Sequence, residues 1–298
     1  MASLQANGIT IEYEDTGGAD RPAIVLIRGL GTQLIDWPVA LVETLSGAGF
    51  RVIRPDNRDA GLSSKLDAFG APDIPAAIRA ARNGEAVPCA YTLEDMARDV
   101  VALLDVLGIE AAHVVGMSMG GFIVQRLAAN HPTRVLSMTS IMASSGSPDL
   151  PASTPEAAAT LASSPSDPDD RDSVITHDAE VARILGSPGY PEDESERLAI
   201  AAARYDRSHC PDGVGRQMLA VIADGRRLEL LGGIRVPTLV IHGRDDLLVR
   251  VEGGIDTAAR IPGAKLELID GMGHNIPLGL VPTLAKLIAE HASASGAR

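Results

Sequence analysis

Apolar residues fall along this chain in short, continuous blocks rather than in alternation. The segments "AIVLI" (23–27), "RVIRP" (51–55), "AHVVG" (112–116), "VLSMTSIM" (135–142), "TLVIH" (238–242) and "KLELID" (265–270) are dominated by aliphatic and β-branched residues. Runs of that kind suit strands of a parallel sheet, which are covered on both faces. Between them the polarity shifts to a helical period. "TLEDMARDVVALLDVLG" (92–108) predicts a helix that Thr92 caps, with Asp95 as its reciprocal partner and Gly108 as its stop. "GGFIVQRLAANHP" (120–132) predicts a second, ending ahead of Pro132. Strand alternating with helix is the pattern of an α/β fold with a mostly parallel central sheet flanked by helices. At the start of the chain, "LQANGITIEYED" places Asn7-Gly8 between two strand-like runs, which predicts an antiparallel hairpin on the sheet edge.

Two stretches interrupt the rhythm. Residues 64–91 read as a long connection with scattered Pro and Gly and room for one short helix. Residues 145–170 are rich in Ser, Pro, Ala and Asp and lead into "AIAAARY" and "VGRQMLAVIADG", which carry helical spacing that a disordered linker would lack. The strand pattern resumes at Val236-Pro237. The expected division is therefore a core formed by residues 1–145 and 232–298, with a helical cap inserted at 146–231. No internal repeats are evident.

Composition narrows the function classes. With 298 residues, 45% hydrophobic and 22% charged, the chain has the make-up of a globular protein. A net charge of −13 argues against binding nucleic acid, which calls for a basic surface. No apolar run approaches the ~20 residues that span a bilayer, so no membrane association is expected. The polar start of the chain does not read as a secretory signal, and Cys89 and Cys210 stand far apart without metal-ligand spacing. A cytoplasmic protein with reduced thiols is expected.

The candidate chemistry lies in "HVVGMSMGG" (113–121). Gly116-Met117-Ser118-Met119-Gly120 is a G-x-S-x-G step between a strand and a helix, where a sharp turn exposes the serine and excludes bulk on either side. A serine hydroxyl needs a base within reach, and the base needs an acid to orient it. Of the seven histidines, His274 lies in the Gly-rich loop "IDGMGHNIP" after the last strand, where a side chain can hang over the sheet. His113 and His242 lie in strands, His131 ends a helix, and His177, His209 and His291 lie in the cap or tail. An acid after the preceding strand is offered twice in "VIHGRDDLLV", by Asp245 and Asp246. The amide of Met119, following the serine, is a donor for a developing oxyanion.

Taken with "RGLG", "DNRDAGLS", "HGRDD" and "GMGH", these motifs make the chain resemble the α/β-hydrolase fold superfamily over its whole length apart from the cap. The resemblance implies the α/β-hydrolase fold and selects Asp246, three residues beyond the glycine of the His-Gly pair, leaving Asp245 to a loop or surface contact. It implies Leu30 as the second oxyanion amide. The family usually has His-Gly at that loop, where this chain has Arg28-Gly29; pairing of Arg28 with a carboxylate at the rim is the expectation, and a substrate carboxylate the alternative. Arg58 and Asp59 are expected to brace their loop, and Trp37 to wall the pocket or pack. A serine at position 118 speaks against the epoxide-hydrolase and haloalkane-dehalogenase branches, whose members carry aspartate there. The expectation is a cofactor-free, metal-free serine hydrolase that cleaves a small carboxylic ester through an acyl-enzyme. Carboxylesterases, polyketide methylesterases and haloperoxidase-like esterases share the motif set. A lactonase, a carbon–carbon bond hydrolase or an acyltransferase would use the same residues, and a non-catalytic ligand-binding relative is the reading from another class. The sequence does not specify the acyl group, the alcohol or the oligomeric state.

Overall fold

The computed structural model describes residues 1–296. Eight strands form one sheet: β1 (Ala2–Ala6), β2 (Ile9–Asp15), β3 (Ala23–Ile27), β4 (Arg51–Pro55), β5 (Ala112–Met117), β6 (Val135–Ile141), β7 (Thr238–Gly243) and β8 (Lys265–Ile269), in the order β1-β2-β4-β3-β5-β6-β7-β8. β1 and β2 are antiparallel to their neighbours and the remaining pairs are parallel. The hairpin at Asn7-Gly8 is present, with Ala6 opposite Ile9 and both turn residues at positive φ (48° and 77°), as a tight two-residue turn requires.

The helices are α1 (Val39–Gly47), α2 (Ile74–Asn83), α3 (Leu93–Val106), α4 (Met119–Asn130), α5 (Pro155–Ala162), α6 (Arg171–Leu185), α7 (Glu194–Arg207), α8 (Pro211–Asp224), α9 (Leu228–Gly233), α10 (Val251–Arg260) and α11 (Val281–Ser295). α3 carries the expected capping box: Asp95 N–H donates to Thr92 Oγ1 (3.2 Å) and Thr92 N–H to Asp95 Oδ2 (2.9 Å). α4 starts one residue earlier than the pattern suggested, at Met119, because the turn at Ser118 feeds directly into it. The 64–91 connection contains a 3-10 turn and α2, whose first turn is capped by Asp73 accepting from Ala76 N–H (2.8 Å).

Alternation along β3 explains why its whole run is apolar. Val25 and Ile27 face one core, with Leu93, Met96 and Leu103 of α3 and Ile123, Val124 and Leu127 of α4. Ile24 and Leu26 face another, with Leu41 and Leu45 of α1 and Leu284 and Ile288 of α11. Strands sealed on both faces cannot accept polar side chains without a partner, and β5 meets that rule at His113. This ring is 2% exposed, its Nδ1 lies 2.8 Å from Ser137 Oγ on β6, and it stands edge-on to Phe50. Between β6 and β7 the chain makes α5 to α9. Ala220 of α8, Leu231 of α9 and the following Ile234 belong to the core on the α3/α4 side, so this part of the chain is built into the sheet's own packing.

Burial, and then repulsion from His291, lowers the His113 pKa from 6.5 to about 4. The unfolded chain therefore binds a proton that the folded chain refuses. The contribution of His113 is complete above pH 6.5 and is lost as the pH falls toward about 4. Thermal unfolding followed across that window should show Tm declining, and the decline should be shallower in His113→Asn, which keeps a polar partner for Ser137 but has no proton to gain.

Candidate active site

At the end of β5 the chain turns sharply, and Ser118 takes φ 56° and ψ −120°, a conformation disfavoured for a side chain with a Cβ. It is held there by Ser118 N–H donating to Ile141 O on β6 (2.9 Å) and by Phe122 N–H donating back to Ser118 O (3.2 Å). A Cβ at Gly116 would collide with the Gly120 carbonyl, and one at Gly120 with the Ile27 carbonyl. The two glycines therefore let the start of α4 pack directly against the ends of β5 and β3, leaving the serine hydroxyl at the C-terminal edge of the sheet.

The loops after β7 and β8 complete a line to that hydroxyl. His274 Nε2 is 3.0 Å from Ser118 Oγ, and His274 Nδ1 is 2.7 Å from Asp246 Oδ2. Asp246 is fully buried, and its Oδ1 accepts the N–H groups of Leu248 and Val249, each at 2.9 Å. Burial by itself would raise the Asp246 pKa, but the facing rings of His274 and His242 outweigh it and hold the carboxyl well below the usual range. Asp245, its neighbour, points elsewhere and accepts from Gly271 N–H (2.8 Å). The His274 loop is tied down from the inserted helices. His274 N–H donates to Leu185 O at the end of α6 (2.7 Å), and Gly273 N–H to Ser187 Oγ (2.9 Å).

The loop after β3 passes so close to the serine that a Cβ on Gly29 would lie 3.1 Å from Ser118 Cβ. Neither the Leu30 N–H nor the Met119 N–H has a hydrogen-bond acceptor among the described residues. The loop is clamped from both ends. Asn57 Nδ2 donates to Arg28 O (3.0 Å), and Gly31, at φ 67°, donates its N–H to Gln217 Oε1 (2.8 Å). Gln217, wholly buried on α8, also donates from Nε2 to Arg58 O (2.7 Å). Arg58 and Asp59 are braces: Arg58 pairs with Asp99 (2.6 Å) and Asp59 with Arg216 of α8 (2.8 Å).

A cavity of about 460 Å³ opens over Ser118 and His274. The core supplies Arg28, Leu30, Met119 and Phe122, while α5 to α8 supply Leu161, Asp178, Val181, Ala182, Leu185, Arg204, Met218 and Val221. Among the described residues no group of three or more His, Cys, Asp or Glu is arranged to hold a metal ion, and no helix is long and apolar enough to cross a membrane.

Of the residues singled out from the sequence, Ser118, His274 and Asp246 lie in one hydrogen-bonded line, and Leu30 and Met119 line the cavity over Ser118. The expectation of a rim carboxylate for Arg28 fails. Asp36, the acid beside it, is bound instead by Arg204 of α7 (2.8 Å), and no ion pair of Arg28 occurs among the described residues. The sequence reading also passed over two contributors. His242, set aside as a strand residue, lies 3.5 Å from Asp246 Oδ2, with Nε2 2.7 Å from Val249 O. Gln217 reaches the Gly31 amide, in the loop after β3, across 186 positions of chain, and nothing in "GRQML" signals it.

A sequence profile of the alpha/beta hydrolase fold matches residues 22–279. The chain is 29% identical over 308 residues to rhodomycin D methylesterase of Streptomyces peucetius, covering 96% of each. It is 28% identical over 269 residues to 3-oxoadipate enol-lactonase 2 of Acinetobacter baylyi, covering 90% of this chain and 88% of that one. Among solved structures, a meta-cleavage product hydrolase from Pseudomonas fluorescens superposes with a TM-score of 0.76 at 21% identity, over 99% of this chain and 98% of the other. On the matched profile, the strand order and the serine turn between β5 and α4, the chain belongs to the α/β-hydrolase fold family.

Proposed function

We propose that this protein hydrolyses carboxylic esters of small molecules, with Ser118 as nucleophile, His274 as general base and acid, and Asp246 as the orienting carboxylate. The observation that carries the reading is the continuous line Asp246–His274–Ser118, at 2.7 and 3.0 Å, ending in a cavity lined by Leu30 and Met119, whose amides have no acceptor among the described residues. Ser118 Oγ attacks the ester carbonyl while His274 Nε2 takes its proton. The carbonyl oxygen becomes an oxyanion between the N–H groups of Leu30 and Met119. His274 returns the proton to the leaving alcohol, and a water deprotonated by the same nitrogen then releases the acid. Asp246 stays ionised throughout, fixing the His274 tautomer and offsetting the imidazolium that forms.

Residues 146–231 act as the cap in this reading, since α5 to α8 line the side of the cavity opposite the sheet. The methylesterase among the relatives supports an open-chain ester. The enol-lactonase supports the second reading, a cyclic ester opened by the same steps. Carbon–carbon cleavage and acyl transfer would draw on the same residues, with no feature of this cavity in their favour. Two free cysteines fit the cytoplasmic setting expected from the sequence.

Treatment with a fluorophosphonate followed by peptide mapping should give a single adduct on Ser118. Ser118→Ala should abolish the adduct and His274→Ala should nearly abolish it; a folded protein with no adduct would overturn the assignment. Asp246→Asn should lower kcat by a factor on the order of 10⁴ through the wrong His274 tautomer. Gln217→Met, which frees the Gly31 amide, should lower kcat roughly 10- to 100-fold by loosening the oxyanion loop, with KM little changed.

A further inference from the structure

The buried arginines of this protein follow a rule with one exception. Among the described residues five arginines are buried: Arg28, Arg54, Arg58, Arg216 and Arg227. Four of them meet a carboxylate directly, Arg54 with Glu14, Arg58 with Asp99, Arg216 with Asp59 and Arg227 with Asp224. That is what the desolvation of a guanidinium demands. Arg28 is the exception, and it lines the cavity over Ser118.

Its protein contacts are poor substitutes for a counter-ion. Nε is 3.4 Å from Thr32 Oγ1, Nη1 donates to the Met117 sulfur at 3.1 Å, and the guanidinium lies 5.0 Å from the centroid of the Trp37 ring. Nη2 has no acceptor among the described residues. The adjacent Asp36 is already committed, accepting from Gln33 N–H on Oδ2 (2.6 Å) and from Arg204 on Oδ1 (2.8 and 3.1 Å). Burial lowers the Arg28 pKa to about 10, with Asp36 opposing the shift and Arg204 adding to it, so Arg28 remains a cation at neutral pH. Asp178 of α6, the one acid among the described residues that line the same cavity, is partly exposed and lies 4.0 Å from Arg204 rather than against Arg28. A guanidinium held on the sheet side of an otherwise largely apolar cavity offers a planar, two-pronged donor to an incoming carboxylate.

We propose that Arg28 is the recognition site for a free carboxylate on the substrate, so that the preferred substrates are half-esters of dicarboxylic acids or other esters carrying an anionic group. This rests on the ester-hydrolase reading and names its substrate class. Arg28 acts as a binding group: it takes the substrate's charge while Ser118 attacks the ester at the other end.

Trp37 is the only tryptophan of the chain and stacks on Arg28, so its fluorescence reports the site without turnover. Dicarboxylates from malonate to suberate, the products of half-ester hydrolysis, are titrated into the wild-type protein, with the matching diamides as neutral controls. Saturable quenching or enhancement is expected with the dicarboxylate of fitting length and not with its diamide. The response should be lost in Arg28→Met and strengthened in Asp178→Asn, which removes the competing acid. In kinetics, the wild type should favour monomethyl esters of those acids over neutral methyl esters of equal length by about tenfold or more in kcat/KM. That ratio should collapse in Arg28→Met and persist in part in Arg28→Lys. A role for Arg28 in bracing the oxyanion loop would lower both rates and leave the ratio unchanged, which would overturn the proposal. Absence of saturable dicarboxylate binding would overturn it as well. Turnover of neutral esters without that preference leaves the ester-hydrolase reading standing alone. Carboxylate binding without turnover of any ester sinks that reading and keeps the anion site.

Discussion

A carboxylate sealed from water must be compensated by whatever the chain brings to it, and in this protein that carboxylate is Asp246. One oxygen takes the amides of Leu248 and Val249; the other faces His274 and, less closely, His242. Desolvation makes any unpaired arrangement costly by several kcal/mol, so the His274 ring is compelled to present Nδ1 to Asp246. Its other nitrogen is then left for Ser118. The constraint extends outward through the same loop. Leu247 O accepts from Thr154 N–H (2.9 Å) and Leu248 O from Ser153 Oγ (2.8 Å), so the segment entering α5 is fastened to the acid's own turn. With Leu185 and Ser187 holding the His274 loop, the segment between β6 and β7 both lines the cavity and supports the two loops that orient the histidine.

The opposite side of the site is organised by ion pairs. Asp59 receives Arg216 and the Tyr91 hydroxyl (2.8 Å), while Asp99 receives Arg58 and Asn7 Nδ2 (2.8 Å). Removing one partner of such a pair leaves a buried charge, which costs more than the pair contributes when intact. Their value here is geometric: they fix residues 56–59, and Asn57 in turn holds the Arg28 carbonyl beside the serine turn. The sequence "PDNRDAGLSS" is therefore a brace for the loop after β3, with its charged residues acting through backbone placement.

The legible parts of this molecule are those whose cause is local. Continuous apolar runs identify β3 and β5 to β7 because each is covered on both faces, and Gly116 and Gly120 betray the serine turn because backbone approaches backbone there. Thr92 and Asp95 mark the start of α3 for the same kind of reason. Asp246 and Asp245 are locally indistinguishable. Only the resemblance to a family separated them, and in the structure one points inward to His274 while the other caps a turn at Gly271. Gln217, Arg204 and His242 were illegible because their partners are set by how helices and loops settle on the sheet. Arg28 was misjudged for that reason too: an acid does lie beside it, but α7 brings Arg204 to Asp36 first.

That competition separates two kinds of surface within one cavity. The candidate site sits at the ends of β5, β7 and β8, and the close packing around the wholly buried β5 and β7 leaves their backbone little freedom. Much of the apolar lining comes from α5, α6 and α8, whose side chains can be exchanged for others of similar volume at modest cost. Arg28 belongs to the first kind, since it follows β3 directly and its carbonyl is tethered by Asn57. A charge anchored to the sheet keeps a constant separation from Ser118 however the helices adjust. On the proposed function, the lining from α5 to α8 can therefore vary while the distance between a bound anion and Ser118 stays under the control of the core.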